Sequence, residues 1–246
     1  MSKLFLSLIL PLYNEGPTLE QSLKKIYQSM QKIRKKWEVI LLEDKSTDDT
    51  LKKVQKLLPN LKNTRLICHK KNEGRGKTVS DGIKAAEGVY CGFLDVDLEV
   101  SSDYIPLFVQ ELEQGFDMVV GKRFYEKNLK AITRVITSIG YKLIVHSLLH
   151  LPIDDTEAGY KFFERKKILS VLPKIKNTGW FWDTEVCSKA YWANLKISQV
   201  PVLFVRKPEK KSTVRLIPDT WDYLKNIYNF RNQIPKEFLA KKYVSQ

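Results

Sequence analysis

The chain has 246 residues, 42 of them basic and 28 acidic, for a net charge of +14. That length suffices for a large domain with a real hydrophobic core, and the charge implies an anionic partner: nucleic acid, a phosphorylated substrate or an anionic membrane face. Cys68, Cys91 and Cys187 are far apart with no C-x-x-C pair, so neither a zinc site nor a disulfide framework is indicated, and reduced cytoplasmic thiols are expected.

Residues 4–10 have the look of a short signal-peptide core, but Pro11-Leu12-Tyr13-Asn14-Glu15 follows with no small-residue cleavage site. A first buried strand over residues 5–10 is expected instead. No apolar run reaches the roughly 18 to 20 residues that span a bilayer. Thr18 can cap a helix in which Leu19, Leu23, Ile26, Tyr27, Met30 and Ile33 recur at helical spacing. A second buried run, residues 37–42, stops at Glu43-Asp44-Lys45-Ser46-Thr47-Asp48, and a helix carrying Leu51, Val54, Leu57 and Leu58 follows. A third strand is predicted over 64–69, and a helix over 77–87 after the stretch Asn72-Glu73-Gly74-Arg75-Gly76-Lys77-Thr78. That stretch is no P-loop: Lys71 stands where the motif needs glycine, and the motif would follow the first strand.

The fourth strand, residues 88–94, ends abruptly in Asp95-Val96-Asp97-Leu98-Glu99. On a continuing strand the three acids would share one side; on a frayed end they could converge on a hard divalent cation, Mg²⁺ or Mn²⁺. A helix near 103–114 and a strand over 117–121 complete the alternation. This order predicts an α/β fold: a Rossmann-like, doubly wound, mostly parallel sheet with helices on both faces. Ligands bind such sheets outside the carboxyl ends of the strands. Tyr13 and Glu15, Glu43 and Asp44, residues 72–77, residues 95–99, and Lys122 and Arg123 all fall at those ends.

Taken in order, Pro11-x-Tyr13-Asn14-Glu15, Glu43-Asp44-x-Ser46-x-Asp48, Asn72-x-Gly74-x-Gly76 and Asp95-Val96-Asp97 resemble the nucleotide-sugar half of family-2 glycosyltransferases, which have the GT-A fold. Gly121-Lys122-Arg123, Asp155-Thr156-x-Ala158-Gly159-Tyr160-Lys161 and Trp182-Asp183-x-Glu185 extend the resemblance to the dolichyl- or polyprenyl-phosphate mannose and glucose synthases. The likeness runs from Leu6 to about Arg231. It implies a donor side made by Pro11, Tyr13, Glu15, Asp44, Gly74, Lys77 and Asp95. It also implies a metal, Mg²⁺ or Mn²⁺, held by Asp95, Asp97 and Glu99, and Arg123 at phosphate near the reacting centre. The chain departs from the commoner pattern at Lys45 (usually acid or glycine), Lys122 (usually serine) and Thr213 (often lysine), and Glu99 stands where glutamine is frequent.

In the second half, the apolar stretch 131–145 is either a core helix or an interfacial helix with Arg134 and Lys142 at head-group level. His146 and His150 have a metal-ligand spacing but no H-E-x-x-H context, so packing or interfacial roles are expected. A strand covers 158–163, and Asp155 before it is the expected carboxylate at the acceptor: a base for a hydroxyl, or an orienting group for a phosphate. The alternative for Asp155 is a turn cap. Asp183 and Glu185 are first-turn acids of a helix, expected beneath the site. Residues 195–205 form a closing strand with Pro201 at an edge or bulge. Arg206, Lys211, Ser212 and Arg215, with Arg134, are candidates to hold an acceptor phosphate, and 219–230 form a last amphipathic helix.

One domain over 1–219 is expected, divided into a nucleotide-sugar half (1–124) and an acceptor half (125–219), with a helix and tail over 220–246. The expected activity is metal-dependent, inverting transfer from a GDP- or UDP-linked hexose to a polyprenyl phosphate. Its expected place is the cytoplasmic face of an anionic membrane, and the reading admits a membrane-embedded partner subunit. The alternative acceptor is a saccharide or protein hydroxyl. Nucleic acid is not an expected partner, because the cations are dispersed and no basic helix or aromatic RNA-binding signature accompanies them.

Overall fold

A computed structural model describes residues 3–125, 145, 147–206 and 216–239. Seven strands form one sheet: β1 (Leu6–Leu12), β2 (Trp37–Glu43), β3 (Thr64–Cys68), β4 (Tyr90–Leu94), β5 (Met118–Tyr125), β6 (Tyr160–Glu164) and β7 (Ile197–Phe204), in the order β3-β2-β1-β4-β6-β5-β7. All neighbouring pairs are parallel except those made by β6, which runs antiparallel to both β4 and β5. The fold is the α/β, mostly parallel arrangement expected. The reversed strand was not legible, because side-chain alternation carries no sign of strand direction.

Apolar side chains on both faces explain the unbroken hydrophobic runs. On β2, Val39 and Leu41 face α1 (Leu19–Gln31), α2 (Thr50–Leu57) and α4 (Ile105–Glu113). Ile40 and Leu42 face α3 (Arg75–Ala85), α5 (Arg165–Val171) and α6 (Trp182–Trp192). All four are fully buried, and each such side chain contributes on the order of 1.5–3 kcal/mol. A third, smaller cluster joins Val145, Leu149 and Phe181 to Ile227 and Phe230 of α7 (Leu216–Phe230) and to Phe238 of α8 (Lys236–Leu239).

Most boundaries shift by one or two residues, and three of the differences have a visible cause or consequence. Helix α3 starts at Arg75, two residues early, because Gly74 at its N-cap has φ +90°, which stops the preceding chain from being helical. β5 runs on through Lys122 and Arg123, since β7 pairs with it as far as Tyr125. α7 starts at Leu216. Pro201 sits on β7, the edge strand, where a missing N–H breaks no ladder. The 131–145 helix lies outside the described residues except Val145, as do His146, Arg134, Lys211, Ser212 and Arg215. His150 is partly buried in a left-handed turn. Among the described residues no helix is long and apolar enough to cross a membrane.

Candidate active site

The carboxyl ends of β1, β2, β3 and β4 lie side by side, and hydrogen bonds between their loops shape one edge of the sheet. Asn14 Oδ1 accepts from the Thr47 amide (2.8 Å) and the Asp48 amide (3.3 Å), while Thr50 Oγ1 accepts from the Glu15 amide at 2.8 Å. Pro11 lies in the last pairs of β1 with β2, and Tyr13 and Glu15 follow on a loop bound to the β2 loop. Asp44 is buried, and its carboxylate accepts from the amides of Glu73 (2.8 Å) and Gly74 (3.0 Å) and contacts His69 Nδ1 (2.7 Å). It fixes the loop that delivers α3. Gly74 is needed twice there, for its positive φ and because a Cβ would stand 2.7 Å from the Thr178 carbonyl.

Lys77 forms an ion pair with Asp81 on its own helix. The cation that reaches the acid turn is Arg75, one residue after Gly74. Its Nη2 donates to Asp95 Oδ1 at 2.8 Å and its Nε to the same oxygen at 3.2 Å, while Nη1 pairs with Asp183 Oδ2. Asp183, buried at the start of α6, also receives Lys161 Nζ at 2.5 Å. Lys161 is wholly buried and donates to the Ala158 carbonyl at 2.6 Å as well. The chain Asp95–Arg75–Asp183–Lys161 ties β4, α3, α6 and β6 together. A bridging guanidinium of this kind is preorganised, because its planar fork spans two carboxylates at once.

β4 ends at Leu94, and the chain turns at once: the Leu98 amide donates to the Asp95 carbonyl (3.2 Å) and the Glu99 amide to Asp97 Oδ1 (3.1 Å). Val96 and Leu98 are buried in the core, whereas Asp95, Asp97 and Glu99 are partly buried. The Val205 amide, just beyond β7, donates to the Glu99 carbonyl at 2.8 Å and pins the turn to the sheet edge. Asp95 Oδ2 lies over Gly159, where any Cβ would collide with it. Burial pushes the Asp95 carboxyl up; Arg75 opposes this and Asp97 adds to it, leaving the group above its ordinary value.

Among the described residues no group of three His, Cys, Asp or Glu side chains is gathered closely enough to hold an ion. The left-handed turn at Leu98 carries the Glu99 backbone toward β7, where its carbonyl meets the Val205 amide. Asp95 and Asp97 still fit Mg²⁺ or Mn²⁺. Both are hard oxygen donors at one strand end, and Mg²⁺ characteristically takes one or two carboxylates and completes its shell with phosphate and water.

On the other side, Arg123 and Asp155 form a bidentate pair, Nε to Oδ2 at 2.7 Å and Nη2 to Oδ1 at 2.9 Å, and the Arg123 amide donates to Oδ2 at 3.1 Å. Burial acts to raise the Asp155 carboxyl, but the Arg123 guanidinium outweighs it and holds the group below its usual range. Asp155 in this state is a clamp on Arg123, with weak basicity. Asp154 pairs likewise with Lys122. Glu185 caps the loop before α6, accepting from the amides of Lys176 and Asn177. Arg206 is exposed just past β7.

A sequence profile of glycosyl transferase family 2 matches residues 7–171. The chain belongs to glycosyl transferase family 2. Within that family, dolichyl-phosphate beta-glucosyltransferase of Saccharomyces cerevisiae is 27% identical over 222 residues, 81% of this chain and 66% of that protein. Glycosyltransferase AglD of Haloferax volcanii is 25% identical over 218 residues, 87% of this chain and 35% of that protein. The chain therefore spans about two thirds of the first relative's length and about a third of the second's. Its fold is that of glucosyl-3-phosphoglycerate synthase from Mycobacterium tuberculosis, solved with Mn²⁺, UDP and glucosyl-3-phosphoglycerate, at TM-score 0.70 and 19% identity over 94% of this chain and 81% of that one.

Arg75 and Lys161 are the members of this charge network that motif reading did not assign. Arg75 lay hidden between two glycines of a familiar motif. Lys161 did carry a signal: a lysine inside an apolar strand must find a buried carboxylate, here Asp183.

Proposed function

We propose that this glycosyltransferase moves a hexose, with inversion, from a nucleotide sugar to a prenyl monophosphate of the dolichyl type. The observation that carries the reading is the placing of two charge clusters at one sheet edge, Asp95 and Asp97 with Arg75 on one side and the Arg123–Asp155 clamp on the other. The name of the Saccharomyces cerevisiae relative supports a dolichyl-phosphate acceptor, and the Mn²⁺ and UDP bound by the fold relative support a metal and a nucleotide donor. Asp95 and Asp97 would hold the divalent ion, which when bound neutralises the negative charge gathering on the departing diphosphate.

The chain's own residues do the rest. Arg75 keeps Asp95 in one orientation, and Arg123, held by Asp155, presents fixed positive charge to phosphate. A phosphate oxygen of the acceptor attacks the anomeric carbon as the bond to the diphosphate breaks, and the diphosphate leaves with the electron pair. An ionised phosphate needs no strong base, which suits Asp155 in its clamped, weakly basic state; a hydroxyl acceptor would need one. Trp221, Leu224 and Tyr228 lie exposed on one face of α7, and with the net charge of +14 they favour residence at an anionic, cytoplasmic membrane face. A membrane-embedded partner subunit would serve the same end.

The test is incubation with UDP- and GDP-hexoses, Mn²⁺ and a prenyl monophosphate, with lipid-linked hexose as the readout. Absence of that product from protein that binds nucleotide sinks the acceptor assignment.

A further inference from the structure

Arg75 lies on the carboxylate proposed to take the metal. Its Nη2 and Nε both donate to Asp95 Oδ1, at 2.8 and 3.2 Å, so that oxygen is already committed to a cation. Oδ2 is the oxygen of Asp95 that Arg75 does not hold, and it lies over Gly159. The guanidinium is fixed from several sides. Nη1 pairs with buried Asp183, which Lys161 also holds, and the guanidinium carbon packs 5.4 and 5.7 Å from the Phe93 and Trp180 ring centroids. A Cβ on Gly159 would stand 2.8 Å from Nη2, so the main chain there closes over the group. Arg75 is largely buried and Asp95 partly exposed, which sets a fixed positive charge beside a carboxylate that solvent still reaches.

That charge treats two forms of the ion oppositely. A free divalent cation is repelled by it and meets a carboxylate whose charge is already offset. A cation carrying a diphosphate brings surplus negative charge, which the same guanidinium attracts. We propose that Arg75 makes metal binding conditional on the nucleotide, so that Asp95 and Asp97 take Mg²⁺ or Mn²⁺ weakly as the free ion and tightly together with a nucleoside diphosphate. The inference rests on the donor reading above and adds to it the order of assembly. An Arg75 that only braces the fold predicts something else: its removal would weaken both forms of binding alike.

The experiment measures Mn²⁺ binding by electron paramagnetic resonance of the free ion in native protein, Arg75→Met and Arg75→Lys. Each is titrated with and without UDP or GDP, with correction for the ion that nucleotide holds in solution. In native protein the nucleotide should tighten Mn²⁺ binding by about 100-fold, and linkage then requires Mn²⁺ to tighten nucleotide binding by the same factor. Arg75→Met, shown to be folded by circular dichroism, should bind free Mn²⁺ roughly tenfold more tightly and the Mn²⁺–nucleotide pair roughly tenfold more weakly. Arg75→Lys keeps the charge and should keep the native preference for the pair. Equal Mn²⁺ affinity with and without nucleotide in native protein overturns the proposal without any variant. Nucleotide-dependent binding in native protein, with free Mn²⁺ affinity unchanged or weakened in Arg75→Met, overturns it while leaving the donor reading intact. Native protein that binds neither UDP nor GDP in the presence of Mn²⁺ overturns the donor reading, and the proposal with it.

Discussion

Arg75 Nη2 lies 2.8 Å from Asp95 Oδ1, and the same guanidinium pairs with buried Asp183 on another helix. One side chain thus couples the turn proposed to face the diphosphate to the packing beneath it. Arg75 is itself largely buried, against the Phe93 and Trp180 rings, with ring centroids 5.4 and 5.7 Å from its guanidinium carbon. Its pKa is raised, because Asp183 and Asp95 outweigh the cost of burial.

Replacing Arg75 by methionine keeps much of the packing and removes the bridge. Lys161 retains Asp183, so the loss should be near the lower end for a broken buried pair, about 3 kcal/mol. Urea denaturation measures it. Arg75→Lys should fail to restore full stability, since an ammonium lacks the fork that reaches both carboxylates. Full restoration by lysine would contradict the bridging role.

Asp97→Ala should remove metal-dependent nucleotide binding and leave the fold intact, because Asp97 lies on a surface turn outside the core. Native protein should gain about 2.7 kcal/mol of apparent stability at a nucleotide concentration 100 times its dissociation constant. Thermal-shift titrations with UDP or GDP, with and without Mn²⁺, read the effect directly. An Mn²⁺-dependent shift preserved in Asp97→Ala would exclude that residue as a ligand.

Lys45 has φ +60°, a left-handed conformation, in the turn held by Glu43 Oε2 accepting the Lys45 amide at 3.1 Å. Glycine pays no steric penalty there, but loses more chain entropy on folding. Lys45→Gly should therefore stabilise by about 0.5 kcal/mol, and Lys45→Val should destabilise by more than that. Denaturation midpoints of the two variants decide it, and equal midpoints would mean the turn relaxes.

Asp155 and Glu157 should give pH effects on stability of opposite sign. The folded pKa of Asp155 is lowered, so its contribution is present above the unfolded value of about 3.9 and lost as pH falls through the folded one. Asp155→Asn should cost about 3 kcal/mol at pH 7 by stranding Arg123, and the difference should shrink below about pH 4. Glu157 is raised from 4.5 to about 7, so the folded state keeps a proton that the unfolded chain has released. Its linkage lowers stability as pH climbs across that window. Glu157→Gln should then be more stable than native protein at pH 8, by at most about 3 kcal/mol, with the advantage fading toward pH 5. Urea midpoints across pH 3 to 9 test both signs together.

The α/β order, the buried strands and the polar strand ends were legible because they follow from the period of apolar residues and from turn chemistry, which are local. Asp95-Val96-Asp97 was likewise visible as an acidic strand end, and residues 7–171 match the family its motifs resemble. Tertiary structure alone decided what each acid touches. Asp44 spends its carboxylate on the loop before α3, Lys77 turns to Asp81, Glu99 moves off toward β7, and Asp155 is clamped by Arg123. The partners in the deepest network, Arg75, Lys161 and Asp183, stand up to 108 positions apart, on α3, β6 and α6. Local patterns place charges at the ends of elements. Which charges neutralise one another depends on distances that exist only once the sheet has brought its crossover segments to one edge.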